Sequence, residues 1–487
     1  MVLFFEVQIL YYRISGGRSE RFMEENISQE TEYPLAEEAP RGFNAKKIIS
    51  LIIGFLVLGG LIATFFVFIL PNFNKPQKTT DASLTYWGAW ENPASIEEII
   101  QDFTRLHPNI KIKYEKQDIK ALGKYYERLT TRINNGTGPD IFRFHNSWVT
   151  ELKPYLLPLP QDVVSETELD SKFYPVISED LKISGAYYGI PIHFDTLSLF
   201  INTQLLRAGG TTNYPVTWED LTAIARSLTV KDSNGKIMTS GVALGTFDNI
   251  VHSSDIISLL LIQNGADLKD LNGPNKQNSI DALDFYTSFA KGDASIWDGS
   301  LENSKLAFAK GSLAMYFGYS WDIFEIKTLN PNLEFVVISV PRLGSSENAR
   351  ENTVASFWVE GTSVKTKYSE QAFEFLKYLG SREIMEKLYT KTSGVRLFGE
   401  LYPRSDMADL LKSNSLVYPF VQQGQNARST IFSSDTYDEA MVDSLNSYLG
   451  NAIRSIVDDN GSAQSAIETL SVGVSEVMGR YEETQSK

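Results

Sequence analysis

Hydrophobic and polar positions follow three patterns along this chain. One is an unbroken apolar run, Ile48–Leu70, IISLIIGFLVLGGLIATFFVFIL, 23 residues without a charge. As a helix rising about 1.5 Å per residue it covers roughly 35 Å, enough to cross a bilayer with some tilt. A core helix would keep a polar face, and a cleaved leader would be shorter and end in small residues. Neither feature is present, so an uncleaved transmembrane helix is expected. Arg41, Lys46 and Lys47 precede it, which puts residues 1–45 in the cytoplasm and everything after Leu70 outside. Met23 opens an acidic, polar stretch, and translation is expected to start there. Residues 71–82, PNFNKPQKTTDA, have two prolines and no periodicity, as a linker does.

Beyond the linker the other two patterns alternate. SLTYW (83–87) and IKIKYEK (110–116) have the period-two alternation of strands, and DIFRFH (140–145) reads as a third. Between them Ile96, Ile99, Ile100 and Phe103 recur at helical spacing, behind a Ser95–Glu98 capping box. A second helix, in KALGKYYERLTTRI, stops at Gly136. This is βαβαβ, the opening of a mostly parallel sheet covered by helices, in which ligands sit beyond the carboxyl ends of strands. A second unit starts near Thr196: TLSLFI as strand, a Thr217-capped helix WEDLTAIARSL, then GVALGT, SLAMYFG (312–318) and LEFVVISV (333–340) as strands. Residues 369–390 form an amphipathic helix and 437–480 are largely helical. Ser184–Thr196, marked by Gly and Pro, is the junction.

Composition narrows the function. The net charge is −15, of which residues after the apolar run carry −13, which disfavours nucleic acid and anionic lipid as partners. The chain has no cysteine, so disulfides, thiolate metal sites and a lipid anchor on cysteine are excluded. Its four histidines (107, 145, 193, 252) make no HExxH or close pair; no metal and no cofactor is expected. No GxSxG, P-loop or supported GxGxxG occurs, so an enzyme is not expected. An extracellular carbohydrate hydrolase is the first alternative function, and a ligand-sensing receptor for a signalling partner the second.

Six motifs in order, WGAWENPASIEEIIQDFTRLHPNIKIKYE, NNGTGPDIF, YYGIPIHFDTLSLFINTQLLRAGG, YPVTWEDL, FAKGSLAMYFGYSW and EQAFEFLKYLGSREIMEKLYTKTSGVRLF, span about 310 residues from Leu84 to Phe398. Together they resemble the extracellular solute-binding proteins of carbohydrate ABC importers, the family of the maltose-binding protein. The resemblance implies a two-lobed α/β fold whose chain crosses between lobes near Asp195–Leu199, near Thr353–Phe357 and after about Arg396. Lobe 1 would comprise 83–195 and 354–396, and lobe 2 196–353 and 397–487. It also implies a carbohydrate ligand in the cleft and ABC permease subunits as partners.

A sugar offers hydroxyls to polar side chains and C–H faces to aromatic rings. Trp90 and Glu91, past the first strand, are candidate ligand residues, whereas Trp87 within it reads as core. After the GPDIF strand the resemblance points to Asn146 and Trp148, with His145 behind them. The maltose-binding member has an Asp-Arg pair where this chain has Asn146–Ser147, which argues against maltose itself. In the second unit Tyr319 and Trp321 match the family's stacking aromatics, and Asp248 and Asn249 fall where it has further contacts. Asp195 either contacts ligand or bonds hinge backbone. Trp358 either faces the cleft or packs within its strand. Tyr437 completes the set.

Overall fold

The computed structural model describes residues 45–64, 81–118, 122–344, 350–434, 436, 438 and 440–485. The chain divides into two compact units, Met1–Lys78 and Thr79–Lys487. In the first, Ala45–Thr64 is an α-helix. Its uncharged part, residues 48–64, covers roughly 26 Å at about 1.5 Å per residue, short of a hydrocarbon core of about 30 Å. Among the described residues no helix is long and apolar enough to cross a membrane. The span expected over Ile48–Leu70 is thus not established by the fold. Residues 65–70, Met23 and the linker up to residue 80 lie outside the described residues.

The second unit opens with β1 (Ala82–Gly88), β2 (Ile110–Lys116) and β3 (Ile141–His145), separated by helices Pro93–Leu106 and Leu122–Asn134. A hairpin of β4 (Lys182–Ile183) and β5 (Ala186–Tyr187) precedes β6 (Ile190–Pro191), β7 (Asp195–Thr196) and β8 (Ser198–Asn202). Then follow β9 (Val230–Lys231), β10 (Ile237–Val242), β11 (Leu313–Gly318) and β12 (Phe335–Ile338). The last strands are β13 (Thr353–Ser356), β14 (Trp358–Thr362) and β15 (Ala427–Arg428).

These build two five-stranded sheets, ordered β2-β1-β3-β14-β6 and β12-β8-β11-β10-β9. In the first, β1 is parallel to β2 and β3, and only β14 runs against its neighbours. The second departs from the expected mostly parallel sheet: only β10 and β11 are parallel, while β8, β9 and β12 join antiparallel. The reason is connectivity. Ser198, which opens β8, lies opposite Gly318, which ends β11. Trp358, which opens β14, lies opposite His145, which ends β3. A strand arriving from the other sheet enters at the end its neighbour leaves, and so runs against it.

Between the sheets β13 pairs antiparallel with β7 and parallel with β15. Gln423 clasps this ribbon: its buried Nε2 lies 2.8 Å from each of Thr196 Oγ1, Leu197 O and Ser198 Oγ, three acceptors for its two N–H groups.

Local corrections have physical causes. The helix after β1 begins at Pro93, not at the Ser95–Glu98 box: Asn92 is the N-cap, accepting from Ala94 N at 3.0 Å, and proline suits the first helical position because it has no N–H to leave unbonded. GVALGT, residues 241–246, lies four residues late, since the strand is Ile237–Val242. The 369–390 helix is two, Ser369–Leu379 and Arg382–Ser393, broken at Gly380 with Ser381 capping the second. The C-terminal stretch is likewise two helices, Met441–Val457 and Ala463–Gln485.

Candidate functional site

Aromatic rings gather where β1, β3 and β14 meet. Trp90, two residues beyond β1, is half-buried and meets Trp358 edge-on at 5.2 Å and His193 at 5.0 Å. Trp358 also meets Trp148 at 5.2 Å and His145 at 5.1 Å. Three of the expected residues, Trp90, Trp148 and Trp358, are therefore one cluster. Trp148 is fully buried, with its Nε1 unpaired among the described residues. Trp87 is core: it is buried and its Nε1 donates to Glu115 at 2.8 Å.

Beneath Trp90 lies a charge cluster that sequence reading did not anticipate. The Arg143 guanidinium stands 4.7 Å from the Trp90 ring centre and pairs with both Glu91 and Glu360. All three are buried. Burial pushes the Glu91 carboxyl up, but Arg143 together with hydrogen bonds from backbone N–H and from Tyr114 outweighs it and holds it below the ordinary carboxylate value. Glu360 goes the other way: burial dominates and raises it to about 7 despite Arg143. Tyr114 donates to Glu91 at 2.9 Å. Glu91 thus supports the platform from below. The signal for Arg143 was a charge in the middle of an otherwise apolar strand, IFRFH.

The second aromatic set follows β11. Tyr319 and Trp321 stack at 4.3 Å and 12°, and His252 meets Tyr319 edge-on at 5.0 Å. His252 Nε2 lies 2.8 Å from Asp322 Oδ2, which also accepts from Tyr316 Oη and Tyr319 N. Burial would raise Asp322, but His252 and Lys305 hold it down at about 2. His252 has φ 61°, the left-handed region that non-glycine residues rarely occupy.

Asp195 joins the two sets. It opens β7, two residues after His193, and its Oδ2 accepts from Ser320 N at 3.0 Å and from the Ser320 hydroxyl. Ser320 stands between Tyr319 and Trp321. Burial raises the Asp195 carboxyl to about 8, against the pull of these bonds.

The remaining expected residues fall elsewhere. Asn146 donates to Asp180 Oδ2 at 2.8 Å, accepts from Phe357 N at 3.2 Å, and lines a cavity of about 840 Å³ of mixed polar and apolar lining. Asn249 braces a loop through Asp298 O and Leu301 O at 2.9 and 3.0 Å. Asp248 is largely exposed and pairs with Arg454 at 2.6 Å. Tyr437 lies outside the described residues. Among the described residues no group of acids and histidines is arranged to hold a metal.

Residues 88–386, more than half of the chain, match the family described as bacterial extracellular solute-binding protein. The chain belongs to that family. A multiple sugar-binding protein of Streptococcus mutans is 24% identical over 362 residues, covering 69% of this chain and 80% of that one. Among solved structures, a cyclo/maltodextrin-binding protein complexed with maltotetraose superposes with TM-score 0.66 at 17% identity, covering 82% of this chain and 98% of that one. An ABC transporter solute-binding protein from Thermotoga lettingae, bound with α-D-tagatose, gives TM-score 0.61 at 19% identity, covering 81% and 99%. The two-lobed α/β fold expected from sequence is the fold of these binding proteins.

Proposed function

We propose that this protein is an extracytoplasmic receptor for a carbohydrate ABC importer, closing its lobes on a saccharide and delivering it to a permease. One observation carries the reading: an aromatic set at the carboxyl ends of each sheet, the two joined across β7 by Asp195 and Ser320. Trp90 on one side and Trp321 on the other are half-buried, as stacking platforms for sugar C–H faces must be before a ligand covers them. Lobe 1 would comprise 83–195 and 354–396, and lobe 2 196–353 and 397–487, with β7 and β13 as the hinge. Closure of such lobes buries the ligand.

The tether is part of the proposal. An apolar anchor over Ile48–Leu70, with the N-terminus cytoplasmic, would keep the loaded receptor within a linker's length of its permease. That raises effective concentration without new contacts. The hydrolase reading draws no support from Glu91 and Glu360, the carboxylates beneath Trp90, because both are engaged by Arg143.

Thermal-shift and calorimetric titration with maltotetraose, mannobiose and tagatose tests the reading. A micromolar ligand at millimolar concentration stabilises by about 4 kcal/mol. Trp90→Ala and Trp321→Ala each weaken that binding while the unliganded protein stays folded. Stabilisation by amino acids or polyamines, with silence across the sugars, would sink the carbohydrate assignment.

A further inference from the structure

We propose that His193 is the specificity-determining hydrogen-bonding side chain of the cleft, reading a hydroxyl of an uncharged saccharide laid against Trp90. This rests on the carbohydrate reading above and assigns one residue's role within it. His193 is buried, and its Nδ1 has no hydrogen-bond partner among the described residues. Buried polar atoms without partners are rare in folded proteins, and each asks for a ligand, a water or a function. This one stands on the segment between β6 and β7, its ring 5.0 Å from Trp90. Two residues on, Asp195 grips the loop that carries Trp321. The unpaired atom therefore lies on the chain that links the two aromatic sets. A second unpaired buried donor, Trp148 Nε1, belongs to the same cluster.

The chemistry selects the ligand class. In a neutral imidazole Nδ1 carries either an N–H or a lone pair, and a hydroxyl, which both donates and accepts, can partner either. His193 is held neutral: burial first, then the charges of Arg143 and Arg396 and the nearby His145, lower its proton affinity well below the usual histidine value. The neighbouring carboxylates do not counter this. Glu91 and Glu360 pair with Arg143, and Glu400 pairs with Arg396 at 2.7 Å. A cationic ligand would find these carboxylates already paired with guanidinium groups, whereas a neutral polyol meets a matched partner.

The test uses purified full-length protein titrated calorimetrically with maltotetraose, mannobiose and tagatose, alongside His193→Phe and His193→Asn. His193→Phe keeps a ring against Trp90 but loses the polar atom, and should bind the recognised sugar about tenfold more weakly, the worth of one hydrogen bond. His193→Asn, which retains a donor and an acceptor, should recover most of that loss. Spermidine should not bind the wild type. In the wild type, the imidazole ¹⁵N resonances of His193 should shift when that sugar is added, a readout independent of how well the variants fold. A His193→Phe protein that binds as tightly as wild type, or ¹⁵N resonances unmoved by saturating sugar, overturns the assignment of His193 and leaves the carbohydrate reading standing. Wild-type protein that binds none of the sugars but does bind an amino acid or spermidine overturns both.

Discussion

Arg143 shows how one side chain braces an aromatic cluster from below. It lies in the middle of β3, opposite Glu360 of β14 in the sheet register, and its guanidinium joins that carboxylate to Glu91 under the Trp90 ring. Removing one partner from a buried ion pair leaves an uncompensated charge, which is far costlier than the pair's net worth. Arg143→Met should therefore destabilise the protein by about 3–5 kcal/mol, read as a lower midpoint in urea denaturation. A variant with the wild-type midpoint would mean that the cluster is not a structural support. The polar residues read from sequence divide in the same way. Glu91, Asn146, Asn249 and Asp248 all have protein partners; their residue types suit a sugar, and for all but Glu91 the family resemblance points to their positions. Residue type is local information, while the partner that engages it is not.

At the scale of elements, the pattern of the chain was a good guide to where strands and helices lie. Ile110–Lys116 and Trp218–Leu228 have the bounds that their periodicity and capping predict. The misses came where a stronger local signal competed, as Asn92–Pro93 did with the Ser95–Glu98 box. How elements pack was not legible. Gly241 in β10 shows why: a Cβ there would stand 1.9 Å from the carbonyl oxygen of Ala225 in helix Trp218–Leu228. The glycine lets helix and strand approach, and its sequence context, SGVALG, gives no hint of which helix. Gly241→Val should force the two apart and cost about 1–3 kcal/mol, the usual penalty of overpacking. Thermal melting checks it, and an unchanged melting temperature would show that the contact relaxes freely.

For the whole molecule, stability is linked to protonation of the segment between the sheets. Asp195 has a carboxyl raised to about 8 in the folded protein, against about 3.9 in an unfolded chain. Between those values the folded state holds a proton that the unfolded state has released. This group's contribution is therefore fully present below about pH 4 and is lost as pH rises towards 8. Glu151 and Glu360, raised to about 8 and about 7, act with the same sign. Burial lowers His145 to about 3, so it opposes them, favouring stability as pH rises towards 6.5. Comparing Asp195→Asn with wild type cancels the other groups: the variant should lose less stability between pH 5 and pH 8. Parallel melting curves at the two pH values settle it, and equal losses would remove Asp195 as the source.

By itself the sequence determined the local elements, the family and the kind of side chain a sugar cleft needs, because periodicity and caps depend on residues close together in the chain and motif order is read directly along it. Only the tertiary structure decided which candidates converge. Trp90, Trp148 and Trp358 became one cluster and Tyr319 with Trp321 another, while Asn146 and Asp248 were drawn elsewhere. It also decided the strand directions of the second sheet and exposed Arg143 and His193. Arg143 meets a carboxylate 217 positions away, and Asp195 meets Ser320 across 125. A buried charge must find its partner wherever the fold brings one, and local pattern does not encode contacts at that separation.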